Sequence, residues 1–143
     1  MAYIPKGAEW YIADLVVEIR VQGRKRRAVH INKLLVRAKS PEQAYKNALI
    51  LGKAQNVSYL NTDNKRVSFT FRGLQQLNVV HDKLGHGAEL SYTEKLSVSA
   101  KRVRAMLSKK NDLAVFAPAA ALKSVNYLPK TVVEELKKMG FEI

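Results

Sequence analysis

The chain has no cysteine in 143 residues. That removes disulfides, thiolate nucleophiles and the usual structural zinc sites together. Also missing is any apolar run approaching the length needed to span a bilayer, so no membrane-spanning helix is expected. The start, Met1-Ala-Tyr-Ile-Pro-Lys6, lacks the basic opening, apolar core and small-residue cleavage site of a secretory signal, which sets the expectation of a cytoplasmic protein. No Gly-rich phosphate loop, GxSxG or HExxH occurs, and no helix-turn-helix, RRM, KH or zinc-finger pattern either. Internal repeats and low-complexity linkers are absent. Acidic residues are scarce: twelve Asp and Glu stand against twenty-five Lys and Arg, giving +13 and a pI near 10.1.

That charge excess is the strongest compositional feature. Residues 1–95 hold sixteen basic and eight acidic side chains, and residues 96–143 hold nine and four. The excess is therefore spread along the chain and is not a basic tail. Such a field attracts nucleic acid, an anionic membrane or an acidic protein, and says nothing about fold. A general solubility charge satisfies the same composition. The ordinary apolar content and the length of one domain argue for a single hydrophobic core.

From Trp10 to Val21 the sequence alternates. Tyr11, Ala13, Leu15, Val17, Ile19 and Val21 fall on one face of a strand, and Trp10, Ile12, Asp14, Val16, Glu18 and Arg20 on the other. Gly23 and the run Arg24-Lys25-Arg26-Arg27 break it, and residues 28–38, AVHINKLLVRA, read as a second strand. The short connection predicts an antiparallel hairpin with the basic run at its tip. Ser40-Pro41-Glu42-Gln43 predicts a helix start, with serine as N-cap, proline in the first turn and Gln43 closing a capping box. The helix is expected to reach about Gln55, with Tyr45, Ala48, Leu49 and Gly52 toward the sheet.

Asn61-Thr-Asp-Asn64 is a turn cluster. A strand through Val67, Phe69 and Phe71 follows, then a turn at Gly73, a strand from Leu77 to His81, and a last strand over Ala88 to Leu96. The expected class is α+β: a mainly antiparallel sheet with a ββα start and further strands, helices on one face and a helical C-terminal appendage. The core domain is placed at 1–97, and a basic, mostly helical extension packed on it at 98–143. Within that extension, SAKRVRAMLSKK (99–110) reads as an amphipathic helix with Val103, Met106 and Leu107 inward. The stretch AVFAPAAALKSVNYLP reads as irregular, broken by Pro118 and Pro129. Thr131-Val-Val-Glu134 reads as a second capping box, with Gly140 closing the helix.

WYIADLVVEIR, VHIN, the capped helix SPEQAYKNAL and VSFTFRGLQQLNVVHDKLGHGAELSY, taken in that order, resemble a bacterial family known only as domain of unknown function 4288. The resemblance covers about residues 10–95, and FRGL followed by LNVV and GAEL carries most of its specificity. It implies a small α+β domain with no established activity. The basic C-terminal third lies outside it.

Four kinds of chemistry compete for the remaining polar residues. His81 and His86, with Asp82 and Glu89 nearby, have the types of a two-histidine, one-carboxylate metal site, but their spacing fits no zinc motif, and turn histidines are common, so no metal or other cofactor is expected. Asp14 and Glu18 on the first strand and His30 and Asn32 on the second would form a polar sheet face, joined by Arg72, Asn78, Asp82 and Glu89. An acid–base enzyme would need that face in a cleft, and a solvated face has the same pattern. Nucleic-acid binding through phosphates is the leading expectation. Its residues are Arg24, Lys25, Arg26 and Arg27 on the hairpin, and Lys101, Arg102, Arg104, Lys109 and Lys110 on the later helix. The alternative is a protein-binding module of immunity or antitoxin type, masking an acidic partner protein. Both make the chain non-catalytic, with no membrane partner.

Overall fold

The computed structural model describes residues 3–116 and 126–140. Four strands, β1 (Trp10–Val21), β2 (Ala28–Arg37), β3 (Val57–Leu60) and β4 (Arg66–Val79), form one antiparallel sheet in the order β2-β1-β4-β3. One helix, α1 (Pro41–Lys53), joins β2 to β3. The α+β class expected from the alternation and the capped helix is what the chain adopts. No helix among the described residues is long and apolar enough to cross a membrane.

The alternation on β1 sorts its side chains as expected. Leu15, Val17 and Ile19 are buried against Val36, Val67 and Val79 from the neighbouring strands and Ala44 and Ala48 of α1. The helix turns a row of small residues, Ala44, Ala48 and Gly52, onto the sheet, while Tyr45 is half exposed. This corrects the expected face of Tyr45, Ala48, Leu49 and Gly52. Small side chains let the backbone approach closely, and a Cβ at Gly52 would overlap the ring of Phe71. Ser40 caps the helix, its hydroxyl accepting from the Gln43 N–H at 3.1 Å. The Gln43 side chain reaches one residue further than a standard capping box and accepts from the Lys39 N–H.

β4 corrects the expected turn at Gly73. Residues 66–79 run as one strand, with two register shifts against β1, between Asp14 and Leu15 and between Val16 and Val17. The residues facing the core are Val67, Phe69, Phe71, Leu74, Leu77 and Val79. Two of those intervals are three residues long, and each marks a bulge that inserts one extra residue. Gly73, at φ +146, supplies the backbone freedom that the first bulge needs. Two broken alternations so close together look, in sequence, like two strands and a turn.

The expected strand over Ala88–Leu96 is not formed, and no strand lies in residues 80–99. β3 pairs only with Arg66–Phe69 of β4, and among the described residues the chain after Val79 does not return to pair beside the rest of that strand. Tyr92 and Leu96 are exposed. The short β3, which the sequence reading did not find, pairs with the start of β4 across the Asn61–Asn64 turn. Asn61 is buried there, and its Oδ1 accepts from the N–H groups of Asp63 and Lys65, both at 2.9 Å. Asn64 takes a left-handed backbone at φ 59, a conformation asparagine tolerates better than most residues.

The chain divides into two compact units. The first holds the sheet, α1 and the chain from Tyr127 onward; the second spans Thr93–Asn126. In the first, Tyr127 packs against Phe69 and His30, and Asn61 forms a bridge with Pro129. The last helix, α3 (Lys130–Lys138), has Pro129 as its N-cap, so Thr131 lies within it and does not cap it. Gly140, at φ +87, follows its end as expected. In the second unit, α2 spans only Ala100–Ala105, capped by the Ser99 side chain, and two 3-10 turns follow. Val103, Met106 and Leu107, expected to face inward, are exposed. A helix of under two turns is too short to present a continuous apolar stripe. Pro118, expected to interrupt this region, lies outside the described residues.

Candidate nucleic-acid interface

The face of the sheet opposite α1 carries the polar half of β1. Its centre is Glu18, whose side chain is only 11% exposed and is approached by three arginines. Arg20 Nε lies 2.9 Å from Oε1, Arg27 Nη1 3.2 Å from Oε1, and Arg72 Nε 3.4 Å from Oε2. Each guanidinium arrives by a different route. Arg20 shares the β1 face with Glu18 two residues away, Arg27 returns from the hairpin turn, and Arg72 sits beside the first β4 bulge. The Glu18 carboxyl is held below the ordinary glutamate range, chiefly by the Arg20 hydrogen bond and also by the charges of Arg27 and Arg72, against the opposing effect of burial.

One carboxylate among three guanidiniums leaves a local excess of two positive charges. Arg20 and Arg72 are held through Nε, so their terminal N–H groups remain available to a further acceptor. Arg24, Lys25 and Arg26 are exposed in the turn just before Arg27, and no described carboxylate pairs with them. On the same sheet face, Lys33 pairs with the buried Asp14 at 2.8 Å. Arg37 pairs with Glu9 at 2.9 Å and lies 5.6 Å from the Trp10 ring centre.

The other expected site residues are dispersed. His30 and Asn32 lie opposite Val17 and Leu15 in the β1–β2 register, whereas Asp14 and Glu18 lie opposite Lys33 and Val29. The two polar pairs thus occupy opposite faces, which corrects the single polar face expected from alternation. His30 meets the edge of the Tyr127 ring instead, with centroids 5.8 Å apart. Asn78 is exposed opposite Ile12. His81 stacks on Tyr3, and the Asp82 carboxylate accepts from the Glu89 N–H at 2.9 Å, closing the loop on itself. His86 is exposed in the glycine turn. Among the described residues, no group of three or more His, Asp and Glu is arranged to hold a metal ion.

In the second unit, Lys101, Arg102 and Arg104 are exposed on α2, and Lys109 and Lys110 open the first 3-10 turn. Lys110 Nζ lies 5.1 Å from the Phe116 ring centre.

Arg20 and Lys33 are the cations of this face that the expected phosphate-binding set does not include. Arg20 could have been found, because it shares a strand face with Glu18. The meeting of Arg72 with Glu18 needed the bulge.

No curated protein and no solved structure matches the chain. The profile of one family does, described as Domain of unknown function (DUF4288), over residues 10–92. The match runs from the first residue of β1 to the last residue of the first unit before the chain leaves it, so it includes the Glu18 cluster and the hairpin tip but not the α2 cations. The chain belongs to the DUF4288 family.

Proposed function

We propose that the protein is a non-catalytic, cytoplasmic nucleic-acid-binding protein that engages phosphates through Arg20, Arg27 and Arg72 together with Arg24, Lys25 and Arg26. The observation that carries this reading is the gathering of three guanidiniums on one largely buried carboxylate, next to three cations with no acidic partner among the described residues. Holding Arg20 and Arg72 by Nε reduces the side-chain entropy lost when their remaining donors meet a phosphate, whose geometry suits a guanidinium fork. Among the described residues no exposed aromatic side chain accompanies these six, so the contacts favour backbone over bases, and affinity without sequence preference. The exposed cations of α2 and the turn after it extend the same chemistry to the second unit.

The test is fluorescence anisotropy of a labelled random-sequence duplex, titrated at several salt concentrations. Replacing Arg24, Lys25 and Arg26 together by alanine should weaken binding and lower the slope of log K against log salt by about 2–3, on the scale of one counterion per phosphate contact. Unchanged affinity at every salt concentration would sink the assignment.

A further inference from the structure

The sheet has two edges, and they are finished differently. β3 is a four-residue strand, and its last neighbour, Asn61, forms a bridge with Pro129. β2 runs ten residues, Ala28–Arg37, with β1 on one side only. Among the described residues, no hydrogen bond outside the β1 ladder reaches the backbone of residues 28–36. A strand edge of this length presents a row of unmet donors and acceptors.

The register tells which groups those are. The Ala38 N–H donates to the Glu9 carbonyl, which fixes the hydrogen-bonded pairs as the even-numbered residues of β2. The N–H and C=O of Val29, Ile31, Lys33 and Leu35 therefore point away from β1. The Arg37 carbonyl obeys the same rule, since it accepts from the Asn47 side chain. These residues also place their side chains on the face opposite α1, where Val29, Ile31 and Leu35 are 52%, 39% and 43% exposed. Lys33 and Arg37 complete the row. Each holds a carboxylate, Asp14 and Glu9 respectively, yet stays more than half exposed, and no acidic residue occurs between 28 and 37.

The charge decides between occupants. A second copy of the chain pairing through β2 would bring the cations of both copies onto one joint. There Asp14 and Glu9 offset Lys33 and Arg37, but Glu18 offsets only one of its three arginines, and facing like charges destabilise a ladder. A strand carrying carboxylates next to Lys33 and Arg37, and apolar side chains next to Val29, Ile31 and Leu35, would satisfy both the backbone row and the exposed side chains. We propose that β2 is a docking edge for an extended acidic segment of a partner protein, which adds to the sheet as a fifth strand. This interaction is independent of the phosphate contacts proposed above, because the ladder groups it uses belong to the backbone of β2.

The probe is a synthetic ten-residue peptide with threonine at every second position and valine and glutamate alternating at the others. A control peptide replaces each glutamate by lysine. Amide hydrogen exchange is followed residue by residue on the full chain. Saturating glutamate peptide should slow exchange at Val29, Ile31, Lys33 and Leu35 by about tenfold or more, leaving the even-numbered amides, already in the β1 ladder, little changed. The lysine peptide should give no protection. Ile31→Pro removes one outward N–H without touching the β1 ladder, so it should abolish protection at the neighbouring amides while thermal unfolding stays cooperative. Should that variant fail to fold, the contrast between the two peptides still decides the matter. Equal protection by the lysine peptide would overturn the proposal, as would no protection by either peptide. Protection that grows with concentration in the protein alone would assign the edge to a second copy, and protection by duplex DNA would assign it to nucleic acid. Either outcome rejects the acidic strand.

Discussion

The two faces of β1 are buried by different means. Leu15 and Val17 lie under α1 among aliphatic neighbours, where the strand's apolar area is removed from water by close packing. Asp14 and Glu18, each one residue away, are nearly as inaccessible, yet their cover is made of long cationic side chains, Lys33 over Asp14 and Arg20, Arg27 and Arg72 over Glu18. The covering cations are themselves more than half exposed. One face is thus sealed by tertiary packing, and the other by side chains whose stems lie on the sheet and whose heads stay in water. The first kind of burial sets stability. The second presents charge at fixed positions.

The sharpest way to break this contrast is in the packed face. Leu15→Ala removes a fully buried side chain flanked on both sides by paired strands, leaving a cavity that the ladders prevent from collapsing. The expected loss is about 3 kcal/mol, read from urea unfolding. A loss below about 1 kcal/mol would show that this face is loosely packed and the comparison unfounded. A milder test uses the closest approach between α1 and the sheet. Gly52→Ala gains roughly 1 kcal/mol of helix propensity but forces the Phe71 ring aside, an overpacking cost of about 1–3 kcal/mol. A net destabilisation of about 1 kcal/mol is expected in the same measurement, and a stabilised variant would mean that Phe71 swings away freely.

How much of this was legible in the sequence follows from where period-two alternation holds. β1, β2 and the start of α1 were readable because the strand rows are unbroken and Ser40-Pro41 is an unambiguous cap. The two bulges of β4 were not, because an extra residue shifts the alternation and imitates a turn. The phase of β2 relative to β1 was likewise hidden. Alternation says that His30 and Asn32 share a face but not which face, and only the hairpin register places them on the core side. The hairpin cations were visible as a run, but the partner that holds Arg27, Glu18, lies nine residues before it, and Arg72 meets that carboxylate only through β4 pairing. Local sequence reports the charge, whereas its convergence belongs to the sheet register.

The smallest expected effect falls on the polar face and has its own signature. Glu18→Gln keeps the shape but removes the negative charge that holds three guanidiniums, so they repel one another without compensation. Its stability cost should be smaller than that of Leu15→Ala, because Arg20, Arg27 and Arg72 reach into water, where their repulsion is screened. What distinguishes it is pH. The Glu18 pKa in the fold lies below its ordinary value of 4.5, so the stabilisation from its charge is fully present above that value and fades as pH falls through the lowered one. The melting temperatures of the parent and the Gln variant should therefore be separated near neutrality and converge in acid. Added salt should narrow the gap at neutral pH as well, since the three cations are open to counterions. A gap that stays constant across the titration would mean that the carboxylate contributes through shape and hydrogen bonding alone, and that the arginines are held on this face without an electrostatic anchor.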